Sequence, residues 1–439
     1  MEQIYIIMLI ALAILAVTDL MVGVSNDAVN FLNSAIGSKA VSFKTIMIVA
    51  SIGVAVGALY SNGMMEIARN GIFTPSMFSF NDVIIIFLAV MITDVLLLDV
   101  FNTLGLPTST TVSIIFSLLG ASVVLAVYKV YVSGDGFDTL GNYINTEKAS
   151  EIVYSILLSV ALSFALGSLV QYVSRLIFTF HIDKRYKYVA ALFGGVAMTA
   201  ITFFILVKGL KSITFVPSEV KDFIKESPFT IIAYSLILWT IVCQLLISVF
   251  KYSVFKFIII VGTFGLALAF AGNDLVNFIG VPIAAYQAFE IWAAPGQTVG
   301  ATEFMMSGLE KENLPAPFIF LALAGLVMVY TLWTSKKAKS VIETEQNLSR
   351  QGEGNEKYNA NTLSRNLVRA MMYLGNIISF ILPKSLQRKL DAQFVQPEYT
   401  GKRDEQPMFD MVRASVNLIV ASILISIGTS MKLPLSTTY

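Results

Sequence analysis

Ten apolar stretches, near 4–24, 41–59, 83–104, 112–132, 152–180, 188–209, 229–250, 255–272, 316–335 and 410–429, constrain this chain more than any other feature. Most approach the ~20 residues that an α-helix needs to cross hydrocarbon. With 56% of 439 residues hydrophobic and 13% charged, the chain reads as an all-α polytopic membrane protein. The first stretch, MEQIYIIMLIALAILAVTDL, lacks a basic n-region and an A-x-A-type cleavage site, so it is expected to stay as a span. A single cysteine, Cys243, cannot build an intrachain disulfide framework or a cysteine-ligated metal site. A net charge of +1 offers no field for nucleic acid. P-loop, HExxH and nucleophile-elbow motifs are missing from the sequence, which argues against an enzyme or ATP-driven pump.

Between 336 and 409 the composition turns to KKAKSVIETEQNLSRQGEGNEKY and later RDEQ, which reads as a polar, cytoplasmic insertion. Within it, 366–390 carries basic residues at both ends of an apolar middle broken by Pro383. That pattern suits either a helix on the membrane surface or a further buried or re-entrant helix.

Two short elements each occur twice. SNDAVN at 25–30 is matched by GNDLVN at 272–277, and LPTSTT at 106–111 by LPLSTT at 433–438, in the same order and with two apolar stretches between the elements of each pair. The chain therefore reads as two copies of one unit. The first is 1–132 and the second 255–439, joined by connecting helices over 133–254, with the 336–409 insertion inside the second copy. If every stretch crosses once, with each Asn-Asp element a break within its crossing, seven crossings separate the copies and the second is inverted. Lys336, Lys337 and Lys339 then fall on the same side as Lys184, Arg185 and Lys187, which should be cytoplasmic, with the N-terminus outside. The membrane expected is the cell membrane.

A carboxylate set in hydrocarbon costs at least ~2.5–3.5 kcal/mol, so Asp27 and Asp274 should face a cavity with partners, and cations are the natural ones. Asn disfavours helix and Ser or Gly precedes it each time, so each Asn-Asp element is expected to interrupt its helix and free carbonyls for an ion. In the other element, Pro107 and Pro434 favour a helix beginning just after them, with Ser and Thr supplying hydroxyls at its N-terminus, where oxyanions bind. A lone Asn-Asp or Ser-Thr-Thr could equally be a cap or an interhelical bond, but two kinds of element repeated in one order favour function. Asp94 and Asp99, with Asn102 and Thr103 close by, either extend an ion path or pair locally. Arg175, Gln171 and Gln244 read as structural, and His181 as a loop residue.

With GVSNDAVN and FAGNDLVN paired to LPTSTT and LPLSTT, the chain resembles the inorganic phosphate transporter family of sodium- or proton-coupled phosphate permeases. The resemblance implies two inverted-topology repeats with discontinuous helices or hairpins, and phosphate near the membrane middle flanked by sodium. It places Asp27, Ser109, Thr110 and Thr111 with Asp274, Ser436, Thr437 and Thr438 around phosphate. Asn26, Asp27, Asn30, Asn273, Asp274 and Asn277 would hold the cations. The family often has histidine after Ser-Thr-Thr, where this chain has Val112 and Tyr439. The helix expected after the second element does not follow Tyr439, so the sequence is expected to be a fragment.

Two aspartates and a phosphate of charge −1 to −2 need compensation in a low-dielectric cavity, and Lys432 is the only basic residue beside any motif. Roughly two or three small cations should therefore travel with the anion. Oxygen ligands suit sodium as the coupling ion, with no other cofactor; protons through Asp27 or Asp274 are the alternative. Sulfate is the runner-up substrate, disfavoured because only hydrogen phosphate can donate a hydrogen bond to a carboxylate. An anion channel is the different-class alternative, against which discontinuous helices in inverted copies favour alternating access. Partners are lipid, phosphate and the coupling ion, with a homodimer as one option.

Overall fold

The computed structural model describes the chain apart from residues 1, 60, 62–67, 70, 181–186, 213–218, 220, 221, 223–225, 295–298, 312, 313, 315, 351–357, 396–406, 431–435 and 439. The first nine apolar stretches form α1 (Glu2–Ser38), α2 (Phe43–Leu59), α3 (Phe80–Leu104), α4 (Thr110–Ser133), α5 (Thr146–Ile177), α6 (Lys187–Ser212), α7 (Pro228–Ser248), α8 (Val254–Ala293) and α9 (Phe318–Thr334). The insertion contributes α10 (Lys336–Leu348), α11 (Thr362–Ile381) and α12 (Lys384–Gln393), and the last stretch is α13 (Met411–Ser430). Among the described residues, α1, α3, α4, α5, α7 and α8 are long and apolar enough to span a membrane. The bent pair of α9 and α10, which meet at 69°, would make one more span if it crosses as a unit.

The centre is built on α1 and α8, which run antiparallel. Tyr5 meets Trp292 with ring centroids 5.5 Å apart, Phe31 meets Phe270 at 4.9 Å, and Gly23 faces the Phe278 ring. α3 runs parallel to α1, with Tyr5 Oη donating to Asn81 Oδ1 at 3.0 Å near one end and Asn102 Nδ2 donating to the Val22 carbonyl at 2.7 Å near the other. α13 runs parallel to α8 in the same way: Gly262 faces Leu418, and beyond the end of α13 Thr437 reaches Asp274. α2 lies parallel along α8, where Gly53 and Gly57 bring the two backbones together at Phe264 and Leu268. Small residues permit this approach, which in lipid supplies the van der Waals contact that a hydrophobic driving force cannot.

α3 and α4 form an antiparallel hairpin. Near its open end Lys129 Nζ and Asp82 Oδ2 lie 2.5 Å apart, and Ser113 donates to Asp94 nearer its tip. A capping box between Ser79 and Asp82 starts α3, and Gly105 in the left-handed region (φ 64°) ends it. Pro107 follows, and Ser109 then caps α4 by accepting from Val112 N at 3.2 Å. The expected helix start after Pro107 is therefore present. Pro434 lies outside the described residues, as do His181, Lys184 and Arg185.

Two expectations change. The Asn-Asp elements do not interrupt their helices, since α1 and α8 are continuous through residues 25–30 and 272–277. The insertion is not solvated from its start: α10 buries Ala338, Val341 and Ile342, packed against α1. For residues 366–390, every described side chain of α11 is exposed, and the break falls at Pro383.

Candidate functional site

Asp27 on α1 and Asp274 on α8 are buried to 1% and 0% exposure where the two helices cross. Each accepts a hydrogen bond from the Ser-Thr-Thr element of its own copy. Thr110 Oγ1 donates to Asp27 Oδ2 at 2.6 Å, and Thr437 Oγ1 donates to Asp274 Oδ2 at 2.5 Å. One turn further along each helix an asparagine folds back, with Asn30 Nδ2 at 3.3 Å from Asp27 Oδ1 and Asn277 Nδ2 at 3.2 Å from Asp274 Oδ1. The same amides cross to the other copy: Asn30 donates to Thr437 Oγ1 at 3.1 Å, and Asn277 to Thr110 Oγ1 at 3.5 Å and Thr111 Oγ1 at 3.0 Å. Between the copies Ser436 Oγ donates to Ser109 Oγ at 2.8 Å, and Thr438 Oγ1 donates to the Thr108 carbonyl at 3.1 Å.

All twelve residues picked out from the sequence thus converge on one polar cluster. Asn26 is the one engaged chiefly with backbone. Its Nδ2 donates to the Leu106 carbonyl at 3.0 Å and to Asn102 Oδ1 at 2.8 Å, and its Oδ1 accepts from Thr108 N at 2.8 Å. This explains why the helix does not break at the motif. Asn26 sits in an intact α1 and supplies hydrogen-bond partners for the break in the opposite segment, between α3 and α4. Asn273 Nδ2 donates to Asp274 Oδ1 at 2.9 Å.

Among the described residues no ion pair reaches either carboxylate. Asn277 and Thr110 link them: Asn277 Nδ2 lies 3.2 Å from Asp274 Oδ1 and 3.5 Å from Thr110 Oγ1, which donates to Asp27. Hydroxyls and amides satisfy part of their hydrogen-bonding capacity but leave the charge uncompensated, a costly state in a dry interior. A cavity of about 430 Å³ adjoins the cluster, lined among others by Asn30, Asn33, Arg413, Ser436, Thr437 and Thr438. Arg413 and Glu345, on opposite helices of this vestibule, carry no motif that marks them in the sequence.

The remaining candidates separate. Asp99 is half exposed and pairs with Lys337 Nζ at 2.5 Å, which makes it a local surface partner. Thr103 is exposed, whereas Asn102 is buried and bridges α1 to the break. Arg175 is structural, 2.6 Å from Asp410 Oδ2 and stacked over Phe180. Asp94 is fully buried, and the register of α1 and α3 sets it near Asp19, an equally buried aspartate inside the first apolar stretch that belongs to neither repeated element.

Apolar helices of spanning length arranged around a buried polar cluster define an integral, multi-pass membrane protein. The phosphate transporter family model matches residues 23–344, and the chain belongs to that family. It is 25% identical over 326 residues to a protein of Thermococcus kodakarensis named "Putative phosphate permease", covering 69% of this chain and 68% of the relative. A Pyrococcus furiosus protein of the same description is 26% identical over 306 residues, covering 69% and 67%. The fold is similar to that of a solved structure described as the sodium-dependent phosphate transporter, with TM-score 0.63 and 18% identity over 98% of this chain and 86% of that one.

Proposed function

We propose that this chain carries inorganic phosphate across the cell membrane by symport with sodium, as a secondary transporter working by alternating access and not as an enzyme or a channel. The observation that carries the reading is the doubled cradle. Thr110 to Asp27 is repeated by Thr437 to Asp274, each asparagine crosses to the other copy's hydroxyl, and Ser109 meets Ser436 on the line between them. The antiparallel course of α1 and α8, with α3 and α13 each parallel to its own motif helix, supports an inverted repeat about that line.

In this reading the anion sits among Ser109, Thr110, Thr111, Ser436, Thr437 and Thr438, in a cleft of hydroxyls and free N–H groups. Asp27 or Asp274 accepts a hydrogen bond from the O–H of hydrogen phosphate, a donor that sulfate lacks. Sodium ions bound by Asp27, Asn30, Asp274, Asn277 and Asn273 balance the negative charge, and Asn26 holds the break in place. The end bearing Lys336, Lys337 and Lys339 faces the cytoplasm, and the N-terminus faces outward.

Coupling of this kind is reciprocal, which sets the test. Equilibrium binding of labelled phosphate to purified protein should tighten as sodium replaces choline, resist excess sulfate, and raise sodium affinity by the same factor. Phosphate affinity indifferent to sodium but sensitive to pH would move the coupling to protons, and displacement by sulfate would overturn the substrate.

A further inference from the structure

We infer that Asp19, Asp94 and Ser113 form a cation site separate from the Asn-Asp elements, one that takes a single dehydrated monovalent cation of the sodium class. The argument starts from register. Tyr5 pairs with Asn81 and Asn26 with Asn102, each 76 residues apart, so the side chains of parallel α1 and α3 meet with the same offset near both ends of their contact. That offset sets Asp19 beside Val95, one residue from Asp94, so the two aspartates share one level of the α1–α3 contact. Both side chains are completely buried. Ser113 reaches in from α4 and donates to Asp94 Oδ1.

Three oxygens at this point remain without a donor among the described residues: both of Asp19 and Oδ2 of Asp94. No ion pair among the described residues involves either aspartate. Two like charges with unsatisfied acceptors, deep in an apolar helix bundle, are stabilised together by one bound cation. The donor set points to the kind of ion. Carboxylate and hydroxyl oxygens are hard ligands, and α1 and α3 are unbroken at this level, so their carbonyls are committed to the helices. Four side-chain oxygens suit a small monovalent ion and fall short of the six to eight that calcium takes. Asp27 follows Asp19 by eight residues, about two turns, on the same continuous helix, so a cation here also eases the crowding of negative charge toward the cluster.

The site stands on the helix register and not on the phosphate reading, and its test leaves phosphate out. Radioactive sodium is bound at equilibrium to the purified full chain in lipid nanodiscs, without phosphate. The Asp27→Asn/Asp274→Asn variant should keep one sodium per chain, and adding Asp94→Asn or Asp19→Asn should remove it. In the otherwise unaltered chain, Ser113→Ala should weaken one class of sodium sites by about tenfold while the protein stays monodisperse. An excess of calcium should not compete. Overturning results are a sodium count that neither Asp19→Asn nor Asp94→Asn changes, or the infrared band of a protonated carboxyl, present in saturating sodium and lost in Asp94→Asn. The latter would mean that a shared proton holds the pair. Sodium binding here can hold if phosphate uptake fails, and can fail if uptake holds.

Discussion

Replacing Gly57 by alanine tests whether the site depends on how closely α2 approaches α8. A Cβ at residue 57 would stand 2.3 Å from the Leu268 carbonyl oxygen and 2.9 Å from the Ala271 side chain. Ordinary contact begins at 3.4 Å, so the helices must part by about 1.1 Å, and because the obstacle is backbone, rotamer change cannot relieve it. Overpacking of this size costs about 1–3 kcal/mol. The strain falls beside the motif, since Gly272 lies against the Gly57 carbonyl and Asp274 follows two residues later. Where geometry decides a rate, displacements near ~1 Å cost on the order of a hundredfold, so coupled uptake should fall well beyond the loss of folded protein. The control is Gly120→Ala on α4, where the added methyl meets nothing within 4 Å. It should be neutral or, by removing a helical glycine, slightly stabilising. Thermal unfolding of purified protein and uptake into proteoliposomes would be measured for both. Wild-type melting and uptake in Gly57→Ala, or equal damage from Gly120→Ala, would refute the reasoning.

Three further outcomes follow from the cluster. Asp27→Asn and Asp274→Asn should each abolish coupled uptake while leaving the protein in the membrane at normal levels, and normal uptake in both would remove the carboxylates from the mechanism. Ser109→Ala and Ser436→Ala should weaken phosphate binding by similar amounts, roughly 0.5–1.5 kcal/mol or about 2- to 12-fold in Kd, because the two hydroxyls face each other across the proposed axis. A large effect from one and none from the other would argue against that axis. Asn26→Ala strips partners from the Leu106 carbonyl, Asn102 and Thr108 N, so it should cost about 1–3 kcal/mol and speed amide exchange at Thr108 more than on α8.

What the sequence reveals and what it hides differ for a physical reason. Hydropathy marks the long apolar helices because lipid demands apolar length, and every one of the ten stretches contains a helix. The two kinds of element are visible because they repeat, and their twelve residues meet. The role of Asn26 is hidden, since its partners lie some eighty residues away, and without them an Asn inside apolar sequence reads as a helix breaker. Asp19 is hidden for the same reason: only the parallel register of α1 and α3 sets it near Asp94. α10 reads as solvated by its charge, yet a helical face of Ala338, Val341 and Ile342 is enough to seat it against the bundle.

The central claim, that two carboxylate–hydroxyl pairs bind phosphate together with sodium, is tested most directly by uptake of labelled phosphate into proteoliposomes. An inward sodium gradient, a proton gradient and no gradient would be compared, in wild type beside Asp27→Asn. The account predicts accumulation driven by sodium alone, unaffected by excess sulfate and lost in Asp27→Asn. Accumulation driven only by protons, or sodium-driven accumulation that survives Asp27→Asn, would contradict it.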